Sequence, residues 1–387
     1  DYMESEDIKE IKINKLKEYV IILMKNTKRI STTNLLVLIA ISFLLFFIVG
    51  NRSGYTEKEN VAYESLKDNN IKITFGGDVS PSRYLKETSK KYGHDVYYRD
   101  IKSIWEDSDI SVVNLKATVL ENASNEEIYP RAQKSSGIYL DIGTEDVQAM
   151  KDAKVNLIGL ANNHSMDYGV QGMEESLDIF EKMGIDIIGG GRDINEAAKP
   201  YTKSINGQSV GIMGITDVIV NGTMARKNIP GTNQTQYLHT DLNIQHMVEE
   251  NDFNIVYINW GKEYTIKPDK EIQELGRYFI DLGVDLVIGT HPHVLLPVEK
   301  YKDGMIVYSL GNLVFDQKIG RTTDSTIVNL YLDEKERCLE FIPIDIKNGI
   351  PYKTESRRKT NRIIKTLIKQ LDKNSYEIEG NKLILHF

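Results

Sequence analysis

Val155-Asn156-Leu157-Ile158-Gly159-Leu160 runs straight into Ala161-Asn162-Asn163-His164-Ser165-Met166-Asp167-Tyr168-Gly169. An apolar run of strand length, of the kind buried on both faces of a parallel sheet, is followed at once by two amides, an imidazole and a carboxylate. Three other stretches repeat the arrangement. Gly76-Gly77-Asp78 follows Ile71 to Phe75, His291-Pro292-His293 follows Val287-Ile288-Gly289-Thr290, and Ser309-Leu310-Gly311-Asn312 follows Ile306. Open α/β folds hold ligands outside the carboxyl ends of their strands, so the four polar clusters are expected to converge on one rim.

Outward from these stretches, short apolar runs alternate with amphipathic stretches of helical length, the βαβ signature of a layered α/β domain. Strands are expected at 71–75, 110–115, 155–160, 185–188, 210–215, 255–258, 286–288, 306–309 and 327–332. Helices are expected near 97–107, 144–153, 171–183, 242–251 and 268–282. Beyond about residue 350 the strand pattern gives way to a helical stretch. Arg358, Arg362, Lys365 and Lys369 share one face of it, with Ile363, Ile364, Leu367, Ile368 and Leu371 on another. Such a helix either holds an acidic polymer or anionic lipid, or packs its apolar side on the domain and leaves its charges in water.

The chain has 387 residues, of which 41% are hydrophobic, enough for a sizeable core. Its formal net charge of -8 supplies no global basic field, which weighs against nucleic-acid binding. A single cysteine, Cys338, excludes an internal disulfide framework. Residues 31–51 carry no charge and would rise roughly 30 Å as a helix, enough for one membrane span. Lys15, Lys17, Lys25, Lys28 and Arg29 crowd its N-terminal side, against Arg52 and Lys58 on the other, which places the N-terminus in the cytoplasm. The expected organisation is a cytoplasmic leader at 1–30, the span, a polar stalk at 52–69, an external α/β domain at 70–347 and a C-terminal appendage at 348–387 with a basic amphipathic helix.

Asp78 ends a strand behind two glycines, which suits either an ordinary turn or a carboxylate aimed at a hard cation. Arg83 is either a forked cation for an anionic ligand or half of a surface ion pair. The cluster at 162–167 offers neutral ligands and a group that titrates near neutrality, or a satisfied core histidine among Asx turns. In His291-Pro292-His293 the proline favours an extended link, so the imidazoles share one ion only if the chain turns there, or one orients the other.

Together these segments, with Trp260-Gly261-Lys262-Glu263-Tyr264, Tyr308 to Gln317 and Arg321-Thr322-Thr323-Asp324-Ser325, resemble the CapA (PgsA) family of poly-γ-glutamate capsule proteins. The resemblance covers the anchor and most of residues 70–345. It implies an α-β-β-α sandwich like that of calcineurin-type metallophosphoesterases, with a divalent metal (Mn, Zn, Fe or Mg) as cofactor. By the same resemblance Asp78, Asn163 and one or both of His291 and His293 are the ion ligands, and His164, with Asp167, protonates a leaving group. Arg83, Asn114, Lys116, Asn259, Glu263, Asn312, Asp316 and Arg321 are then the substrate contacts.

Two positions depart from the family pattern. Asn114-Leu115-Lys116 stands where members usually read Asn-Leu-Glu or Asn-Phe-Glu, and Asn259-Trp260-Gly261 where they read His-Trp-Gly. An ammonium in place of a carboxylate reverses a local charge, so Lys116 pairs with Asp78, holds an anionic substrate end, or simply points into solvent from the strand end. The function implied is a membrane-anchored extracellular component of capsule synthesis and export. It would handle poly-γ-glutamate beside other membrane subunits of the synthase complex on the bacterial membrane. The alternative is a metal-dependent surface hydrolase of phosphoesters or of the polymer.

Overall fold

A computed structural model of the chain describes residues 70–121, 137–237, 239–333 and 336–387. The expected leader, membrane span and stalk, residues 1–69, lie outside the described residues. Among the described residues no helix is long and apolar enough to cross a membrane.

Strands β1 (Ile71–Val79), β2 (Ile110–Leu115), β3 (Leu157–Gly159) and β4 (Asp186–Ile188) lie side by side in parallel. Strands β5 (Tyr201–Ile205), β6 (Gln208–Thr216), β7 (Phe253–Asn259), β8 (Leu286–Thr290), β9 (Val298–Tyr301) and β10 (Gly304–Val307) form a second sheet in the order β9-β10-β8-β7-β6-β5. Its central strands are again parallel, and β7 and β8 are buried at every position, Asn254 and Asn259 of β7 included. Strands β11 (Asn312–Val314), β12 (Asp324–Leu332), β13 (Arg337–Lys347), β14 (Ile350–Lys353), β15 (Glu377–Glu379) and β16 (Lys382–His386) extend the first sheet. Its order is β15-β16-β13-β12-β1-β2-β3-β4, with β11 beside β1 and β14 beside β13.

The two sheets meet face to face. The Tyr257 hydroxyl on β7 donates to the Gly76 carbonyl on β1 at 2.7 Å, and its ring stacks on Phe75 at 6.3 Å between centroids. Helices cover the outer faces. On the first sheet, α1 (Leu85–Tyr92), α2 (Thr144–Asp152) and α3 (Gly169–Met183) bury Leu85, Val147, Met150, Leu177 and Phe180 in one core. On the second, α4 (Thr240–Glu250) and α5 (Lys270–Asp281) bury Ile244, Met247, Ile272 and Phe279 in another. The chain is therefore a mixed α/β sandwich, layered helix, sheet, sheet, helix.

Three local expectations are corrected. The helix at 97–107 is replaced by two 3-10 turns, His94–Tyr97 and Lys102–Ile104, although Tyr97, Tyr98, Ile101, Ile104 and Trp105 are buried and Arg99, Asp100, Ser103, Glu106 and Asp107 exposed, the one-sided pattern that predicts a helix. Gly76 and Gly77 lie inside β1 rather than in a turn. What requires glycine there is close approach, since a Cβ on Gly77 would stand 2.0 Å from the Gly311 carbonyl oxygen. Residues 348–387 are woven into the first sheet, with β14 and β16 pairing along β13. Helix α6 (Arg357–Leu367) buries Ile363, Ile364 and Leu367, while Arg362 donates twice to Asp324 at 2.6 and 2.7 Å. Its neighbour Lys359 pairs with Asp345. Of the two readings of this helix, the packed one is observed.

Candidate functional site

The carboxyl ends of the parallel strands of both sheets point to one seam. Asp78 near the end of β1 sits where the register against β2 shifts, a bulge that re-aims its side chain. One of its oxygens accepts from Asn114 Nδ2 at 2.7 Å and the other from the His291 backbone N–H at 3.2 Å. Asn114, on β2, also donates to Thr290 Oγ1 at 3.0 Å and Asn259 Oδ1 at 3.2 Å, which joins the two sheets. Asn162 locks the loop after β3 by donating to Asn114 Oδ1 at 3.0 Å and to the Leu115 carbonyl at 2.8 Å.

Lys116 lies at the centre of this seam, with none of its surface exposed. Its Nζ donates to Asn163 Oδ1 at 2.6 Å, Asn259 Oδ1 at 3.0 Å and His291 Nδ1 at 3.1 Å. An ammonium has no acceptor, so Nδ1 of His291 must present its lone pair, and the imidazole is neutral with its proton on Nε2. Burial first, and then the Lys116 charge, push the His291 pKa well below the ordinary histidine value. Asp78 behaves oppositely. Burial works against its charge, but Lys116, His293 and Asn114 outweigh burial and hold its carboxyl below the usual range, so it remains ionised.

His291 and His293 do not flank an extended link. Both have left-handed backbone, φ 94° and 59°, which turns the rings 5.9 Å apart and gives them separate partners. His293 Nδ1 lies 2.7 Å from Asn312 Oδ1 and 3.2 Å from Asp78 Oδ2, with Phe315 against its ring at 4.7 Å. Asn312 is fixed in turn, donating to the Thr322 carbonyl and to Gln317 Oε1, each at 3.2 Å. His164 contacts Asp167 through Nδ1 at 2.8 Å, and Asp167 also accepts the Leu140 backbone N–H at 2.8 Å. Because the carboxylate is an acceptor, Nδ1 of His164 carries the proton, and the ring adds to the positive field at His291.

At the rim, Arg83 pairs with Asp316 and lies over the Phe315 ring at 5.9 Å. Asp316 is raised by burial and lowered by Arg83, the first effect winning. Glu263 and Arg321 are exposed, and the Glu263 carboxylate acts on the neighbouring Tyr264 hydroxyl. Burial and Glu263 push that hydroxyl up to about 12, so it stays neutral. Sequence reasoning does not single out Tyr264 as a site residue, although it stacks on His293 at 6.0 Å and accepts from Gln317 Nε2 at 2.8 Å. Its left-handed φ of 63° marks it beside Arg83, His291 and His293, four strained non-glycine residues at one rim. Thr290 is missed in the same way, and only the pairing of β7 with β8 brings it to Asn259.

The donor set does not fit a divalent ion. Asn163 and His291 turn lone pairs to the Lys116 ammonium, and the charge of that group among Asn163, Asn259 and His291 repels a second cation at the same place. Among the described residues no group of three or more His, Cys, Asp or Glu side chains is arranged to hold a metal ion.

The family model described as "Bacterial capsule synthesis protein PGA_cap" matches residues 72–317. The chain is 33% identical to the "PGA biosynthesis protein CapA" of Bacillus subtilis (strain 168), covering 95% of this chain and 94% of that one. It is 31% identical to the "Capsule biosynthesis protein CapA" of Bacillus anthracis, covering 92% of this chain and 87% of that one. Among solved structures, a 5'-nucleotidase precursor from Thermus thermophilus aligns with a TM-score of 0.40 and 12% identity, covering 68% of this chain and 52% of that one. The chain belongs to the PGA_cap family of bacterial capsule synthesis proteins.

Proposed function

We propose that this member of the capsule synthesis family is a membrane-anchored component of the poly-γ-glutamate synthesis and export machinery, and that it handles the nascent polymer by binding rather than cleaving it. Near full-length similarity to two proteins named for capsule or PGA biosynthesis supports the role. The uncharged run at 31–51 behind a basic leader supports an anchor with the described domain outside the cell, where other membrane subunits of the machinery would be its partners.

The observation that carries the binding reading is that Lys116 fills the centre of the strand-end seam, where hydrolysis through a divalent ion would need open coordination space. Around that seam the rim exposes Arg83, Lys318 and Arg321 beside Tyr84 and Tyr264. Lys318 lies over the Tyr84 ring at 5.5 Å, a contact that holds the cation extended. Separate guanidinium and ammonium groups suit an extended chain of carboxylates, because each contact is weak and several act together.

Hydrolysis is the second reading, and the His164–Asp167 pair is what favours it. One experiment separates the two. A strain deleted for this gene should lose surface polyglutamate, and the wild-type gene should restore it. Combined Arg83→Ala and Arg321→Ala should restore it only partly, whereas His164→Gln should restore it fully. A deletion strain with unchanged capsule overturns the role, and loss of capsule with folded His164→Gln protein overturns binding in favour of turnover.

A further inference from the structure

Lys116 stands in a fully buried position with acceptors converging from three separate elements: the loop after β3 (Asn163), the end of β7 (Asn259) and the loop after β8 (His291). Among the described residues, two amide oxygens and a neutral imidazole turn their lone pairs to the Lys116 ammonium, acceptors of the kind that also ligate a cation. Asn163 and His291 use the same lone pairs that would otherwise bind a divalent ion. A buried carboxylate, Asp78, lies close enough for the Lys116 charge to hold it ionised.

We propose that the Lys116 ammonium is the cation of this site, a covalently tethered replacement for a divalent ion that ties the two sheets together at their carboxyl ends. The tether changes what the site requires. A metal-loaded seam depends on ion supply and is stripped by chelators, whereas an ammonium carried on β2's own extension is present whenever the chain is folded. Asn259 belongs to the same device. Its amide oxygen accepts from Nζ while its Nδ2 donates to Thr216 Oγ1 at 3.0 Å, so the group is oriented with oxygen toward the charge. An imidazole there could accept from the ammonium only as a neutral ring. The two departures from the family pattern, 143 positions apart in the chain, are thus two halves of one contact.

This inference does not depend on the capsule role, and its test contains no capsule readout. The full chain, purified in detergent, is examined by elemental analysis and by thermal unfolding with EDTA, with no addition, and with excess MnCl₂ or ZnCl₂. The wild-type protein should contain far less than one equivalent of any divalent metal, and its midpoint should be the same in all conditions. Lys116→Glu should acquire a metal-dependent midpoint, rising by about 5 °C at ion concentrations well above the dissociation constant. Stoichiometric metal in the wild-type protein, with a midpoint lowered by EDTA, overturns the proposal. So does a folded Lys116→Glu protein that ignores metal, because the ammonium would then not occupy an ion position. If Lys116→Glu does not fold, the wild-type metal content and EDTA response decide alone.

Discussion

Two regions of this molecule bring a carboxylate and a cation together, and they do so under opposite conditions. In the seam, Lys116 and Asp78 are both wholly buried, the charge of each is spread over amides and an imidazole, and the groups come from both sheets. At α6, Arg362 reaches Asp324 as a bidentate pair while its side chain stays 44% exposed, with Lys359 beside it. The buried arrangement is costly to assemble and very costly to leave half made, because water cannot replace the missing partner. At α6 only the arginine is half-exposed, and Asp324 is buried, but Lys359 also lies 3.5 Å from that carboxylate, so losing Arg362 still leaves it a cation. The seam therefore contributes specificity of assembly, and the α6 pair contributes fit to a helix already held by Ile363, Ile364 and Leu367.

The sharpest way to break the comparison is Lys116→Met, which strips the buried Asp78 of the Lys116 charge, leaves it His293 and Asn114, and takes the ammonium from the acceptors Asn163, Asn259 and His291. The expected loss is about 3–5 kcal/mol by denaturant unfolding, followed through the two buried tryptophans, Trp105 and Trp260. Adding Asp78→Asn should recover part of that loss, since the buried charge is gone. A cost below about 1 kcal/mol for the single variant would show that the seam is no more demanding than the surface.

A smaller effect concerns pH. The His291 pKa is depressed in the folded protein, so between that value and the unfolded value near 6.5 the unfolded chain binds a proton that the folded chain refuses. Stability from this group is complete above pH 6.5 and falls as pH drops through that value. Between pH 7.5 and 5.5 wild type should lose about 1 kcal/mol more than His291→Gln. Equal losses would mean that the imidazole takes up its proton without leaving its place beside Lys116.

The smallest effect is expected at the other region. Arg362→Ala should cost less than about 1 kcal/mol, and Lys365→Ala next to nothing. If Arg362→Ala approaches the Lys116→Met cost, Lys359 does not compensate the buried Asp324 and the contrast between the regions collapses.

The parallel strands are legible in the sequence because their runs are buried on both faces, so β2, β6, β7 and β8 fall close to where hydrophobicity places them. The edge strand β5 is not, since Tyr201, Lys203 and Ile205 are only half-buried and alternate with exposed residues. Strands β14 to β16 escape for a related reason. They are short and antiparallel, and only pairing makes them strands, β14 and β16 along β13 and β15 along β16. At the site, Asp78, Asn163, His164 and the two histidines are visible as polar residues at strand ends. Lys116 and Asn259 are visible only as two unrelated oddities, because no local pattern reports that strands from different sheets will place Nζ and Oδ1 at 3.0 Å.

Arg83, Tyr264, His291 and His293 each hold a backbone conformation that glycine adopts freely and other residues resist. Selection for heat resistance alone would therefore drift toward glycine or asparagine at these four places, releasing tension while erasing the rim. A heat-selected library in which they stay unchanged would reveal a pressure that melting temperature does not measure.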